Sequence, residues 1–247
     1  MSRPGFFEGD ADDDGDSRNV AVGIVTDNED PKDLGRVKLR FPWRDADDES
    51  YWARVATEMA GDGYGTYFLP EVDDEVLVAF QNGDIHRPFV IGALWNGEQK
   101  PPQTNGDGGN DVREVRSRSD HQLRFDDADS GSITIRTGEG HEIVIDDSGG
   151  SETIVLRDES NDNSVTLDAS SGNVSIEAKN EIDISAPTVS ISGGKKVKIS
   201  GNKGVAVSSK AQLDLASKGQ LNVSSRGIMG IDATGPLTIK GSIIQLN

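Results

Sequence analysis

Three histidines, His86, His121 and His141, are the side chains best suited to proton transfer near neutral pH, and no two of them are neighbours in the sequence. Cysteine is absent, which removes thiol nucleophiles, thiolate metal ligands and disulfides. Serine is plentiful in the second half, yet no histidine lies beyond His141 to activate one. His121 follows Asp120 and His141 precedes Glu142. Both read as isolated surface pairs at strand ends. His86 and Arg87 precede Pro88 and read as turn chemistry or a protein contact. Asp10, Asp12, Asp14 and Gly15 match the first half of a calcium loop, but the twelfth position, where a bidentate Glu belongs, is Ala21. That stretch reads as a solvated acidic arm. The expectation is a chain that is not an enzyme, with no catalytic residues, no metal site and no cofactor.

The elements that carry these residues fall into two parts. All thirteen aromatics of the 247 residues lie at or before Phe125. Residues 1–170 hold 38 acids against 16 bases, or −22, whereas residues 171–247 hold 5 against 9, or +4, which together give the net −18. An aromatic-bearing first part and a Val/Ile/Leu/Gly/Ser second part therefore need different cores. No run of 18 apolar residues supplies a membrane-spanning helix. The N-terminal residues show no apolar stretch of a secretory signal. A charge of −18 disfavours nonspecific nucleic-acid binding, which needs a cationic surface.

Residues 1–18 are expected to form a flexible acidic arm. From Val20 the pattern is strand and turn. Val20–Val25 is rich in β-branched residues, Asp27–Gly35 is dense in turn formers, and Arg36-Val-Lys-Leu-Arg-Phe41 alternates basic and apolar. Further strands are expected at Trp52–Thr57, Glu75–Phe80 and Phe89–Leu94, punctuated by Pro70, Asn82-Gly83 and Arg87-Pro88. Five short strands without helical periodicity read as a small OB-type barrel over residues 19–102. Trp43, Tyr51, Trp52, Tyr64 and Tyr67 could serve as base-stacking platforms. Their neighbours Asp45, Asp47, Asp48, Glu49, Glu58 and Asp62 would repel phosphates, so these rings are expected to fill the barrel and line a protein interface.

The barrel segment also carries a resemblance. Gly23-Ile-Val-Thr-Asp27, Asp33-Leu-Gly-Arg-Val-Lys-Leu-Arg-Phe-Pro-Trp43 and Tyr51-Trp-Ala-Arg-Val-Ala56 occur in order. They are followed by Gly63-Tyr-Gly-Thr-Tyr-Phe-Leu-Pro-Glu-Val-Asp-Asp-Glu-Val-Leu-Val-Ala-Phe80 and Gly83-Asp-Ile-His-Arg-Pro-Phe-Val-Ile-Gly92. This series resembles the OB domain of contractile-injection-system spikes, the family of VgrG proteins, phage central tail spikes and baseplate assembly protein V. VgrG proteins carry a large hub domain before the barrel. Here about twenty residues precede it, so the resemblance implies a hub on a separate protein. Trp43, Trp52, Tyr64 and Tyr67 are the residues expected to face that hub.

After a Pro/Gly-rich junction leading into the shaft (103–130), apolar pairs at i and i+2 recur over 131–247. They run Ile133/Ile135, Ile143/Ile145, Ile154/Leu156, Val165/Leu167, Val174/Ile176, Ile182/Ile184, Val189/Ile191, Val197/Ile199, Val205/Val207, Leu213/Leu215, Leu221/Val223, Met229/Ile231 and Leu237/Ile239. From Val189 to Leu237 the spacing is eight throughout; earlier spacings are 10, 11, 11, 9, 8 and 7. A period this short signals a β-helix or fibre. Positions one and three of each octad share a face of one short strand. Position five is small, at Gly193, Gly201, Ser209, Ser217, Ser225, Ala233 and Gly241, where the chain must turn. The pattern admits two closures. One is a monomeric triangular β-helix of 24 residues per turn. The other is three intertwined chains, which would pair the strand edges a lone ribbon leaves open. The octad is similar to the triple-stranded β-helix that follows the barrel in spike proteins, and this implies a homotrimer whose core is formed by the pairs from Val174/Ile176 to Leu237/Ile239.

The resulting expectation is an all-β, non-enzymatic central spike of a phage-tail-like particle. It would be a membrane-puncturing needle assembled in the cytoplasm, docked on a tube hub by its barrel and contacting a target membrane transiently. The last residues, Ile243, Ile244, Leu246 and Asn247, would leave an open apolar end. Similar spikes are sharpened by a PAAR-repeat tip protein, which is the partner expected there. The alternatives are a polysaccharide-acting β-helix enzyme, which would need a carboxylate and basic cluster that the octads do not display, and an OB-type binding module.

Overall fold

Alternation in Arg36-Val-Lys-Leu-Arg40 sends Val37 and Leu39 to one side, and both are fully buried, while the three cations stay at the surface. The same period-two logic closes five strands around one core in the computed structural model, which describes residues 20–45 and 48–245. The proposed acidic arm, together with Leu246 and Asn247, lies outside the described residues. The strands are β1 (Val20–Asp27), β2 (Arg36–Arg40), β3 (Ala53–Val55), β6 (Glu75–Phe80) and β7 (Pro88–Ala93). A small hairpin, β4 (Ala60–Gly61) and β5 (Tyr64–Gly65), stands between β3 and β6. The barrel order is β1-β2-β3-β7-β6. Only the β3–β7 pairing in it is parallel.

The barrel core is Val25, Val37, Leu39, Phe41, Ala53, Val76, Val78, Phe80 and Val90. Phe41 and Phe80 pack with centroids 5.6 Å apart. Trp43, Tyr51, Trp52, Tyr64 and Tyr67 do not fill this barrel; none of the five is buried. Five short strands enclose room for valines, one leucine and two phenylalanine rings, so the larger rings lie outside. The β1–β2 turn is pinned by Asp30. Its carboxylate accepts hydrogen bonds from the backbone N–H groups of Lys32 and Leu34 and a two-point pair from Arg36. Asp33 and Gly35 take positive φ there.

Seven strands follow in one antiparallel meander: β8 (Val112–Arg116), β9 (Gln122–Asp126), β10 (Ser132–Arg136), β11 (Glu142–Asp146), β12 (Thr153–Asp158), β13 (Asn163–Asp168) and β14 (Asn173–Glu177). β8 and β9 arise from the segment read as a junction and join the same sheet as β10. Left-handed residues turn most of the hairpins: Asp120, Gly140, Gly150, Asp162 and Gly172. Gly172 is the last positive-φ residue described.

Beyond Glu177 the described chain forms no strand pairing with itself. The molecule divides into two units, Met1–Ile182 and Asp183–Asn247. In the second unit bends recur at 194–195, 202–203, 210–211, 218–219, 226–227 and 234–235, every eight residues and just after octad position five. The corner is built in two ways. At Gly201 a Cβ would lie 2.2 Å from the carbonyl oxygen of Gly204, and at Gly193 one would lie 2.6 Å from that of Lys196. At Ser217 and Ser225 the hydroxyl instead donates to the carbonyl three residues on and accepts the N–H two residues on. At these four corners position five therefore answers to the carbonyl three residues on, either by lacking a side chain or by hydrogen-bonding to it.

Candidate functional site

The meander places the aliphatic pairs in two unbroken ladders. Cross-strand register joins Phe125, Ile133, Ile145, Ile154, Leu167 and Val174 in one, and Val115, Leu123, Ile135, Ile143, Leu156, Val165 and Ile176 in the other. Residues two apart share a face, so both ladders lie on the same side of the sheet. That side is uncovered: Ile133 and Ile145 are each 38% exposed and Val174 is 67% exposed. Every buried hydrophobic residue described lies between Val25 and Val90. The meander thus has an apolar face and no core of its own.

The alternate positions carry mostly charge, amides and hydroxyls, apart from Val112 and the opposed pair Val144 and Val155. Glu114 accepts hydrogen bonds from Arg116 and Gln103, and its side chain is 1% exposed. Arg157 pairs with Glu142 at 2.6 Å. Acids at the loop entrances are held by local donors. Ser171 and Ser170 bring the Asp168 carboxyl down to about 2, and Ser148 lowers that of Asp146. These loops stay anionic at any physiological pH.

In the octads the same uncovered state continues, and the residues expected to form a shaft core do not form one within a single chain. At octad position one, Val189, Val197, Val205, Leu213, Leu221 and Leu237 are 49–59% exposed. At position three, Ile191, Ile199, Val207, Leu215, Val223, Ile231 and Ile239 are more open still, at 60–75%. Met229 at position one is exposed too, as are Ile182 and Ile184 before the octads and Val174 and Ile176 on β14. The physical reason is that a ribbon one strand wide has no second layer, so two side chains on one face have nothing of their own chain to pack against. Ile243 is 80% and Ile244 51% exposed.

The barrel offers a separate feature, a cavity of about 700 Å³ between the β1–β2 turn and the β4–β5 hairpin. Leu34, Met59, Tyr64, Tyr67 and Phe68 line it, each more than half exposed. Two glycines shape it: a Cβ at Gly61 would sit 2.2 Å from the Tyr64 ring, and one at Gly65 would sit 2.3 Å from the Met59 carbonyl oxygen. Of the four residues expected to face a hub, Tyr64 and Tyr67 meet here. Trp43 and Trp52 do not line the cavity. Trp43 packs on Phe41 with centroids 5.4 Å apart, and Trp52 lies beneath Lys38 and Arg36. Sequence reasoning missed Leu34, Met59 and Phe68. The spacing Gly61-Asp-Gly63-Tyr-Gly65 was the available signal, because three glycines in a five-residue hairpin mark a close backbone approach.

The histidines stay apart. His141 Nδ1 lies 3.1 Å from Asp158, His121 Nδ1 accepts the Gly138 N–H, and His86 meets the edge of Tyr51. Among the described residues no three His, Asp or Glu side chains converge as metal ligands.

The family model for the type VI secretion system/phage-baseplate injector OB domain matches residues 21–95, the barrel just described. Over this stretch the barrel matches an injector OB domain, and the chain is similar to VgrG spike proteins. It is 33% identical over 128 residues to the type VI secretion system spike protein VgrG3 of Vibrio cholerae, covering 50% of this chain and 11% of that protein. With VgrG5 of Pseudomonas aeruginosa it shares 44% over 72 residues, 28% of this chain and 9% of the relative. With VgrG1a of the same species it shares 38% over 72 residues, 28% and 11%. These matches thus take in only about a tenth of each relative's length.

Proposed function

We propose that this VgrG-like chain is the central spike of a contractile injection device, a homotrimer whose octads intertwine as a triple-stranded β-helix. The observation that carries the reading is the pair of unbroken aliphatic ladders on an uncovered sheet face, directly following an injector barrel. Three such faces turned inward would give the shaft the core that one chain lacks. In the octads the same closure would cover Val197 with Ile199, Val205 with Val207, Leu213 with Leu215 and Leu221 with Val223. The octads support this too. They bend every eight residues yet pair with nothing in their own chain, whereas a solitary solenoid would stack its turns on each other.

In this reading the chain acts mechanically, and contraction drives the needle through a target membrane. The barrel docks on a tube hub through the Tyr64/Tyr67 cavity, with Trp43 and Trp52 on neighbouring surface. A PAAR-type tip protein covers the far end at Ile243 and Ile244; Leu246 and Asn247, assigned to that contact as well, lie outside the described residues. The spike works as part of an assembled particle. Light scattering on the purified chain tests the core of the proposal. A solution mass of three times 26.4 kDa is expected. A single-chain mass would overturn it and return the monomeric β-helix enzyme or binding module.

A further inference from the structure

The bends of the second unit carry cations. Lys210, Lys218 and Arg226 occupy octad position six, one after another at a spacing of eight, and Lys195 and Lys203 occupy position seven. All five lie on the bends themselves, and all are exposed. Lys196 and Lys198 add to them, and Asp214 is the only acid from 195 to 226, so this stretch of a −18 chain is +6. Asp214, already counted in that sum, forms no ion pair with these cations among the described residues; both its oxygens accept from the neutral Gln212. Every Lys or Arg ion pair among the described residues lies at or before Glu159. The basic residues of the first unit are largely matched to carboxylates, and those of the bends are not.

We infer that residues 195–226 form a cationic belt that engages the phosphate headgroups of an anionic bilayer. Corners are the parts of a shaft that project furthest outward, so charge placed there reaches a flat surface first. A period of eight repeats one cation per corner rather than scattering them. In a homotrimer the belt would carry three times +6. Attraction falls off within about 10 Å at 0.1 M salt, so the local charge governs contact although the whole chain is acidic. The chemistry favours lipid over nucleic acid. Six of the seven cations are lysines, compact point charges suited to headgroup phosphates rather than bidentate base readout. No aromatic ring lies beyond Phe125 to stack a base. The belt rests on the charge pattern, and its use at a target membrane rests on the spike reading.

The test is flotation of the full-length chain with vesicles of one part phosphatidylglycerol to two parts phosphatidylcholine. Vesicles of phosphatidylcholine alone and a duplex DNA oligomer serve as comparison arms. Binding to the anionic vesicles alone, lost at about 1 M salt, is expected. The triple variant Lys210→Gln, Lys218→Gln, Arg226→Gln should bind roughly a hundred-fold more weakly, and the Lys210→Arg, Lys218→Arg variant should bind as the parent does. No vesicle binding by the parent, unchanged binding by the triple variant, equal binding to neutral vesicles, or tighter binding to DNA would each overturn the belt. The solution mass is read separately. A single-chain mass with charge-dependent vesicle binding retained removes the spike and keeps the belt.

Discussion

Ile145 stands directly opposite Ile154 across the β11–β12 ladder, and the two keep 38% and 42% of their surface open. A cross-strand pair of β-branched and aliphatic residues normally stabilises a sheet by packing under a second layer. Within this chain that layer is missing. The trimer reading makes the pair a sensitive probe, since each such side chain is worth about 1.5–3 kcal/mol when covered and a buried carboxylate costs more. Ile145→Asp with Ile154→Asp should reduce the solution mass from three chains towards one while the barrel stays folded. An unchanged threefold mass would refute the assignment of this face.

The barrel should respond strongly to its own core and little to the exposed rings of the cavity. Leu39 is fully buried among Val25, Val37 and Phe41. Leu39→Ala is expected to cost about 2–5 kcal/mol, read as a lower denaturant midpoint of tryptophan fluorescence. Tyr67, 75% exposed, should change stability by less than about 0.5 kcal/mol on replacement by Ala, and a large loss there would mean the ring packs against something within the chain.

Acid should loosen the β1–β2 turn. The Arg36 guanidinium, 2.6 Å from Asp30, holds that carboxyl far below the ordinary range, with the Lys32 and Leu34 N–H groups assisting. A depressed folded value means the contribution is fully present above the unfolded value of about 4. It is then lost as the pH falls from there towards the folded one. The barrel's Tm should drop below about pH 4 in the parent. In Asp30→Asn it should start lower and fall less steeply over the same range. Parallel curves for the two proteins would show that the pair does not couple to folding.

Glycine at an octad corner should matter where the carbonyl is close and not where space is open. A Cβ at Gly201 meets the Gly204 carbonyl oxygen at 2.2 Å, whereas one at Gly194 meets nothing within 4 Å. Gly201→Ala is expected to cost about 1–3 kcal/mol and Gly194→Ala less than about 0.5 kcal/mol, measured by the shaft's thermal transition or its resistance to protease. Equal effects would contradict the corner geometry.

The five barrel strands, the alternation in Arg36–Arg40 and the eight-residue repeat from Val189 to Leu237 were legible in the sequence, because periods of two and eight are local properties of the chain. Three things depended on the tertiary structure. Closure of the barrel left room for Phe41 and Phe80 but not for Trp43, Tyr51, Trp52, Tyr64 or Tyr67. It also drew Leu34, Met59, Tyr64, Tyr67 and Phe68, spread over 35 positions, around one cavity. Strand register turned separate i, i+2 pairs into two ladders reaching back to Phe125 and Val115, ahead of the point where the repeat becomes audible in the sequence. Each is a matter of which distant residues end up adjacent, and adjacency across a sheet is set by pairing and closure rather than by spacing along the chain.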